Sequence, residues 1–318
     1  MTTAFVLWGG GSMGAAQVGM LRGLTARGIR PDLVIGASVG ALNAAYYAAL
    51  PDTQGVEELA ELWLRVSEHD VYPLNSSQVL HTLADSLPGR PLRGVLRALG
   101  GLNYIFPINP LMIGLAAAGR TNHLFDNHRF RRYVENVLPL ERLEQARLPV
   151  KILATDVCNG EGVLLSRGEA VPALMASTAV PGFYPSVEIG GRHLMDGSVS
   201  SNTTLDHAIE LGADEVYLLT PGYSCPLPAP PSTVLAIAVH TYNLLGEQRM
   251  AASIANARTQ VRLYPLPALC PMEVLPIDFR QTARLIEQAT ESTLYWLDND
   301  RQAQPGAARA LGDFRTLS

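Results

Sequence analysis

Lysine is almost missing from this chain of 318 residues: Lys151 is the one lysine among 24 basic residues. Arginine used so one-sidedly reads as a coding bias and carries no chemistry. No stretch gathers basic residues as a phosphate-tracking surface would, and a formal charge of −5 gives no electrostatic case for nucleic acid as a partner. Cysteine is scarce as well. Cys158, Cys225 and Cys270 are odd in number and far apart, which excludes a disulfide framework and a zinc site and points to a reducing compartment. Long apolar runs are also lacking. The longest, "YIFPINPLMIGLAAAG" at 104–119, is broken by Pro107, Asn109 and Pro110 and falls short of a bilayer span. The opening residues hold no basic segment and give way to glycine after a few apolar positions, which argues against a secretory signal. A soluble, cytoplasmic chain is therefore expected, with its oligomeric state open.

What is present is 47% hydrophobic against 17% charged residues, a balance that suits a globular protein with a large core. No repeat and no low-complexity linker divides it. The economical reading is one domain over 1–300 with a helical insertion at about 56–125, followed by a polar tail at 301–318.

The first fifty residues have a rhythm. "TAFVLW" is a buried-strand run followed by glycines, and "AAQVGMLRGLTARG" places Val18, Leu21 and Leu24, with Met20, at helical spacing up to Gly28. "PDLVIG" is a second strand and "SVGALNAAYYAAL" a second helix ended by Pro51. A right-handed crossover makes the two strands parallel and neighbouring, so the glycine loops at their carboxyl ends lie side by side. Further on, "PVKILATD" resumes the sheet, "VEIGGRHLMDG" reads as a hairpin closed by Gly190-Gly191, and "TTLDHAIELGA" and "DEVYLLT" supply a helix and a strand. A proline-rich loop at 221–231 precedes a long helix over about 232–258. Asp278 to Gln281 suggests a capping box for a last helix with Ala283, Ile286, Ala289 and Leu297 on one face.

The opening loop contains Gly9-x-Gly11-x-x-Gly14, a spacing that suits a dinucleotide phosphate or the oxyanion of an acyl intermediate. A dinucleotide site needs an acidic residue at the carboxyl end of the second strand, but Asp32 stands at its start. That end is instead Gly36-Ala37-Ser38-Val39-Gly40, a Gly-x-Ser-x-Gly between strand and helix, where the pattern makes a nucleophile elbow. Taken alone, Ser38 could simply cap its helix. Two abutting glycine loops, one bearing a nucleophile and one rich in free N–H donors, favour an oxyanion hole at Gly9, Gly10 and Gly11, each such donor contributing about 3 kcal/mol to the transition state.

The base is less determined. His193 lies three residues before Asp196 in one strand and faces the other side, His207 and His240 fall in helices, and His69, His81, His123 and His128 sit in the insertion without metal spacing. Only two strands precede the elbow, which does not suit the Ser-Asp-His order of an α/β-hydrolase. An aspartate is favoured, Asp196 before Gly197 leading and Asp156 in "ATDVCNG" a rival, although either could be a turn former. No metal and no cofactor is expected.

These residues resemble the patatin-like phospholipase family, and its bacterial members in particular, over roughly residues 4–298. "GGGSMG" is similar to the family's oxyanion motif, "GASVG" to its elbow, "ASTAVPGFYP" to its block of small residues and prolines, and "DGS" at 196–198 to its Asp-Gly dipeptide. "ILATDVCNGEG" and "DFRQTARLIEQATESTLYWL" add to the likeness. The resemblance implies a patatin-type three-layer α/β/α sandwich with a mostly parallel central sheet and a helical insertion. It also implies a Ser38–Asp196 dyad with Gly9–Gly11 as oxyanion hole, metal-free hydrolysis of lipid or acyl esters, and transient contact with a membrane surface. Two positions depart from the family pattern: Met13 stands where Arg or Lys is common, and Ser198 where Gly or Ala is usual. Transfer of the acyl group to another acceptor, and lipid binding without catalysis, are the competing readings. The apolar segment 100–119 is a candidate lid or acyl pocket, or simply core.

Overall fold

The computed structural model describes residues 1–66, 119–123, 125–221, 230, 234–269 and 279–299, with backbone alone at 234–236 and 239. Most of the expected insertion, the segment 100–118, most of the proline-rich loop, Asp278, His69, His81, Cys225, Cys270 and the tail lie outside the described residues.

The chain opens with β1 (Thr3–Leu7), α1 (Gly14–Ala26), β2 (Leu33–Ala37), α2 (Val39–Ala49) and α3 (Thr53–Arg65). Then come α4 (His128–Val137), β3 (Val150–Asp156), β4 (Gly162–Leu165), α5 (Ala170–Ser177), β5 (Val187–Ile189) and β6 (Arg192–Asp196). The remainder is α6 (Thr204–Glu210), β7 (Glu215–Leu219), α7 (Val234–Ala257), β8 (Arg262–Pro265) and α8 (Thr282–Asn299). The strands form one sheet in the hydrogen-bonded order β5-β6-β3-β2-β1-β7-β8, with β4 also on β3. The run from β3 to β8 is parallel, and the pairs β3–β4, β3–β6 and β5–β6 are antiparallel.

Both faces of the sheet are covered, because its central strands are apolar at every position. Along β1, Phe5 and Leu7 pack with α1, α2, α3 and α8, while Ala4 and Val6 pack with α6 and α7. The two-residue period of a strand sends alternate side chains to opposite cores. Each large side chain buried in this way contributes about 1.5–3 kcal/mol relative to exposure. Three layers result, as expected.

The local expectations meet the structure closely at the start. β1 and β2 are parallel neighbours, with Leu7 opposite Gly36. The hairpin between β5 and β6 turns through Gly190 and Gly191, whose φ of 60° and 76° a side chain would strain. Strands β4 and β8 were not expected from the sequence; each has only four residues, too few for alternation to speak. The face of α8 also differs from the expectation. Ala283 is exposed, and the buried positions are Thr282, Leu285, Ile286, Ala289 and Thr293. The reason lies on α1, where a Cβ on Gly19 would collide with the Ile286 carbonyl and one on Gly23 would come within 2.7 Å of Thr293 Cγ2. The glycine groove of α1 selects which side of α8 turns inward.

Candidate active site

β2 ends at Ala37, and the next residue, Ser38, has φ 54° and ψ −130°. It is the one non-glycine residue with positive φ among the described residues, a conformation that costs on the order of 1–3 kcal/mol. Its flanking glycines are required by contact: a Cβ on Gly36 would strike the Gly40 carbonyl, and one on Gly40 would strike the Leu7 carbonyl at the end of β1. Ser38 N–H donates to Ser177 Oγ at 2.9 Å, and Ser177 Oγ donates to the Leu153 carbonyl at 2.6 Å. The turn is thus held from α5 and β3. The Ser38 hydroxyl makes no cap for α2; it donates to Asp196 Oδ2 at 2.7 Å.

How these two residues meet is a matter of register. Ala37 pairs with Leu153 of β3, and Asp196 pairs with the next residue, Ala154. Leu153 and Ala154 also pair with β4, through Leu164 and Val163, so β2 and β6 share the opposite edge of β3. β2 leaves that edge at Ser38, and β6, running the other way, ends in the place it vacates. Gly197 can follow only because it has no side chain, since a Cβ there would collide with the Leu153 carbonyl. Asp196 N–H donates to the Ala179 carbonyl at 3.0 Å, Thr155 Oγ1 donates to the Asp196 carbonyl at 2.7 Å, and Ser198 N–H donates to Asp196 Oδ1 at 2.8 Å. The carboxyl group is fully buried, and burial pushes its pKa above the usual carboxylate range against the opposing pull of Ser198, Ser38 and Tyr242.

Asp156 is placed differently. Its Oδ1 accepts the Cys158 N–H at 2.9 Å and its backbone closes the turn to Gly160 and Glu161, a turn-forming role. His193 is exposed on β6, on the side away from Asp196, and His207 pairs with Glu210 through Nδ1 at 2.9 Å. Among the described residues no group of three or more His, Cys, Asp or Glu could hold a metal ion.

The opening glycine loop lies against Ser38. A Cβ on Gly9 would collide with Ser198 Oγ and come within 3.0 Å of Ser38 Cβ, and Gly11 has φ 59°. The N–H groups of Gly9, Gly10 and Gly11 find no acceptor among the described residues. Beneath the loop runs a buried polar network. Gln17 Nε2 donates to the carbonyls of Trp8 at 2.6 Å and Leu219 at 2.9 Å; Asn43 Nδ2 donates to the Gly14 carbonyl at 3.0 Å and to Gln17 Oε1 at 2.9 Å. Trp63 Nε1 completes it with a bond to Asn43 Oδ1 at 2.9 Å. Every polar group in this chain has a partner, the condition under which a buried network rigidifies its surroundings.

From Ser38 a cavity of about 180 Å³ runs between α2, α3, α4 and the segment after α5. Leu42, Leu59, Val134 and Val180 line it, together with two stacked aromatic pairs, Trp63–Phe279 at 6.1 Å and Phe130–Tyr184 at 6.3 Å between ring centroids. Burial raises the pKa of the Tyr46 and Tyr184 hydroxyls, so both stay neutral at neutral pH.

A family model described as patatin-like phospholipase matches residues 5–209, the part of the chain that builds this site. The chain belongs to the patatin-like phospholipase family. Among curated relatives, human patatin-like phospholipase domain-containing protein 6 is 24% identical over 223 residues, 70% of this chain and 13% of that protein. Lysophospholipase nte1 of Aspergillus terreus is 25% identical over 221 residues, 70% of this chain and 12% of that one. The chain therefore corresponds to a small part of the length of these relatives. Among solved structures, VipD from Legionella pneumophila has 14% identity and a TM-score of 0.40, covering 93% of this chain and 67% of that one. Human GIVD cytosolic phospholipase A2 with methyl gamma-linolenyl fluorophosphonate has 12% identity and a TM-score of 0.38, covering 93% and 57%.

Several residues of this patatin-like site escaped the sequence reading. Ser177 was visible only as part of a block of small residues, and Gln17 and Asn43 only as polar interruptions of apolar helices, a signal that could have been taken up. Tyr242 and Arg249 of α7 had no signal, because they lie beyond residue 209 and meet the site only through the fold.

Proposed function

We propose that the chain is a lipid acyl hydrolase of the phospholipase A or carboxylesterase type, with Ser38 as nucleophile and Asp196 as base. The observation that carries this reading is the 2.7 Å hydrogen bond from Ser38 Oγ to a fully buried Asp196 at the mouth of an apolar cavity. Ser38 Oγ attacks the ester carbonyl carbon, and as that bond forms its proton passes to Asp196 Oδ2. The carbonyl π electrons move onto oxygen, which rests on the N–H groups of Gly9, Gly10 and Gly11. Collapse of the intermediate breaks the ester C–O bond, and the departing alkoxide takes the proton from Asp196. Water then attacks the acyl-serine while Asp196 accepts its proton, and release of the acid returns a proton to Ser38. A carboxylate is a weak base for a hydroxyl, and burial that raises the Asp196 pKa brings it nearer the task. The acyl chain fits the cavity by its chemistry, since the lining is aliphatic and aromatic.

The test is a panel of aryl esters, triacylglycerols and phospholipids of graded chain length, with Ser38→Ala, Asp196→Asn and Asp156→Asn measured beside the unchanged chain. Loss of the nucleophile is expected to lower the rate on the order of 10⁶-fold. Asp196→Asn should lower it roughly 10² to 10⁴-fold or more, whereas Asp156→Asn should mainly affect stability. A folded Ser38→Ala protein with unchanged turnover would end the covalent reading. If Asp156→Asn is inactive and Asp196→Asn active, the base is wrongly assigned.

A further inference from the structure

Helix α7 closes the buried side of Asp196, and it does so with polar groups. Its position is fixed by Ser253 Oγ, which donates to Asp206 Oδ2 of α6 at 2.8 Å, and by Arg249, whose guanidinium donates to the carbonyls of Ser198 at 2.9 Å and Ser200 at 2.6 Å. Arg249 thus grips the turn that follows Asp196. Almost two helical turns earlier on the same helix, the Tyr242 hydroxyl lies against the Asp196 carboxylate and the Ser198 hydroxyl. That hydroxyl is wholly buried and makes no hydrogen bond of ordinary geometry. A buried donor left so costs about 1–3 kcal/mol where its only surroundings are apolar. Next to a carboxylate it has an electrostatic reason to be there.

We propose that Tyr242 is a positioning residue of the acyl-transfer site: together with the Ser198 hydroxyl it keeps the Asp196 carboxylate ionised and aimed at Ser38 in a place water does not reach. The inference rests on the reading of Ser38 and Asp196 as a dyad. Burial alone drives Asp196 toward its neutral form, in which it accepts no proton, and the donors around it counter that drive. Two of the four contributions come from the Ser198 N–H and from Ser38 itself; the Ser198 and Tyr242 hydroxyls supply the others. The Ser198 hydroxyl occupies the space beside Gly9, where a Cβ on that glycine would collide with it, so it stands between the oxyanion loop and the base.

The other titratable groups of the neighbouring elements face elsewhere. Asp206 bonds Thr203 and Ser253, His207 bonds Glu210, and Asp156 bonds the Cys158 N–H. Arg249 acts on Tyr242 and on the two carbonyls. Asp196 therefore reports on Tyr242 with little competition.

The experiment is the pH profile of kcat/KM for a soluble aryl ester with the full chain, Tyr242→Phe, Ser198→Ala and the double variant, with Ser38→Ala as control. Removing a donor that favours the charged form makes Asp196 harder to ionise. The acid limb of each single variant should move to higher pH, lowering kcat/KM on the acid side about three- to tenfold while the alkaline plateau stays within about threefold. The double variant should move further in the same direction. A merely structural role would lower the plateau or the melting temperature with the limb in place, and that result would overturn the proposal. So would limbs in Tyr242→Phe and Ser198→Ala coincident with that of the unchanged chain, while Ser38→Ala is inactive. If Ser38→Ala keeps its turnover, the dyad itself fails and the role of Tyr242 falls with it.

Discussion

Two residues of this site carry a stability penalty that function explains. Ser38 is held at φ 54°, where a side chain is strained. Ser38→Gly relieves that strain and Ser38→Ala does not, so both variants should be inactive, with the glycine protein melting at least as high as the alanine one. Thermal melts of the purified pair check this. The second is Asp196. Its pKa in the folded chain is raised by burial above the unfolded value of about 3.9, so between those two values the folded protein binds more protons than the unfolded chain. Stability then falls as pH rises through that window, and at neutral pH the full penalty is present. Asp196→Asn cannot ionise, and its Oδ1 can still accept the Ser198 N–H. Its stability relative to the unchanged chain should therefore increase from about pH 4 to about pH 8, as read by denaturant titrations across that range. A difference that is flat or falls with pH would contradict the burial argument.

At the scale of elements, the contacts that hold the site are made by backbone approaching backbone. α1 and α8 touch through Gly19 and Gly23, where added side chains would meet Ile286, Ala289 and Thr293. Gly19→Val should therefore cost several kcal/mol or leave the chain unfolded, while substitution at Gly28, which has open space around it, should cost only the strain of its φ of 68°. Arg249 is the corresponding device on the other face. Its guanidinium is partly buried and bonded to two carbonyls, so Arg249→Gln should loosen the turn after Asp196 and cost about 2–3 kcal/mol. Hydrogen exchange of residues 197–201 would read that loosening directly. Unchanged protection in the variant would show that the turn is held by its own backbone.

Across the whole molecule, the proposed catalytic pair and the cavity are built from different parts of the fold. Ser38 and Asp196 are set by the sheet, and the cavity by α2, α3, α4 and the residues around Thr178 to Tyr184. Chemistry and chain-length preference should be separable for that reason. Val134→Phe places a ring in the cavity from α4; kcat/KM for long acyl chains should fall about tenfold or more, while short aryl esters stay within about threefold. Equal losses for short and long chains would mean that the acyl group lies elsewhere.

Much of this was legible in the amino-acid order, because it depends on neighbours in the chain. Period-two and period-3.6 patterns declared β1, α1, β2, α2 and β7; Gly190-Gly191 declared a turn; and the glycines around Ser38 declared a strained elbow, since only glycine tolerates both the close contacts and the angles. The short strands β4 and β8 and the inward face of α8 were not legible, for their placement depends on what lies across from them. The same limit applied to the site. Sequence alone left Asp196 and Asp156 as alternatives, each at the end of a strand. The fold separated them, because β6 runs against β3 along the edge that β2 leaves and ends one row beyond Ala37, while Asp156 turns away to bond Cys158. Tyr242 and Arg249 reach Asp196 and Ser198 across some forty-five residues of intervening chain, a meeting that packing of α7 on the sheet brings about and that no local pattern encodes.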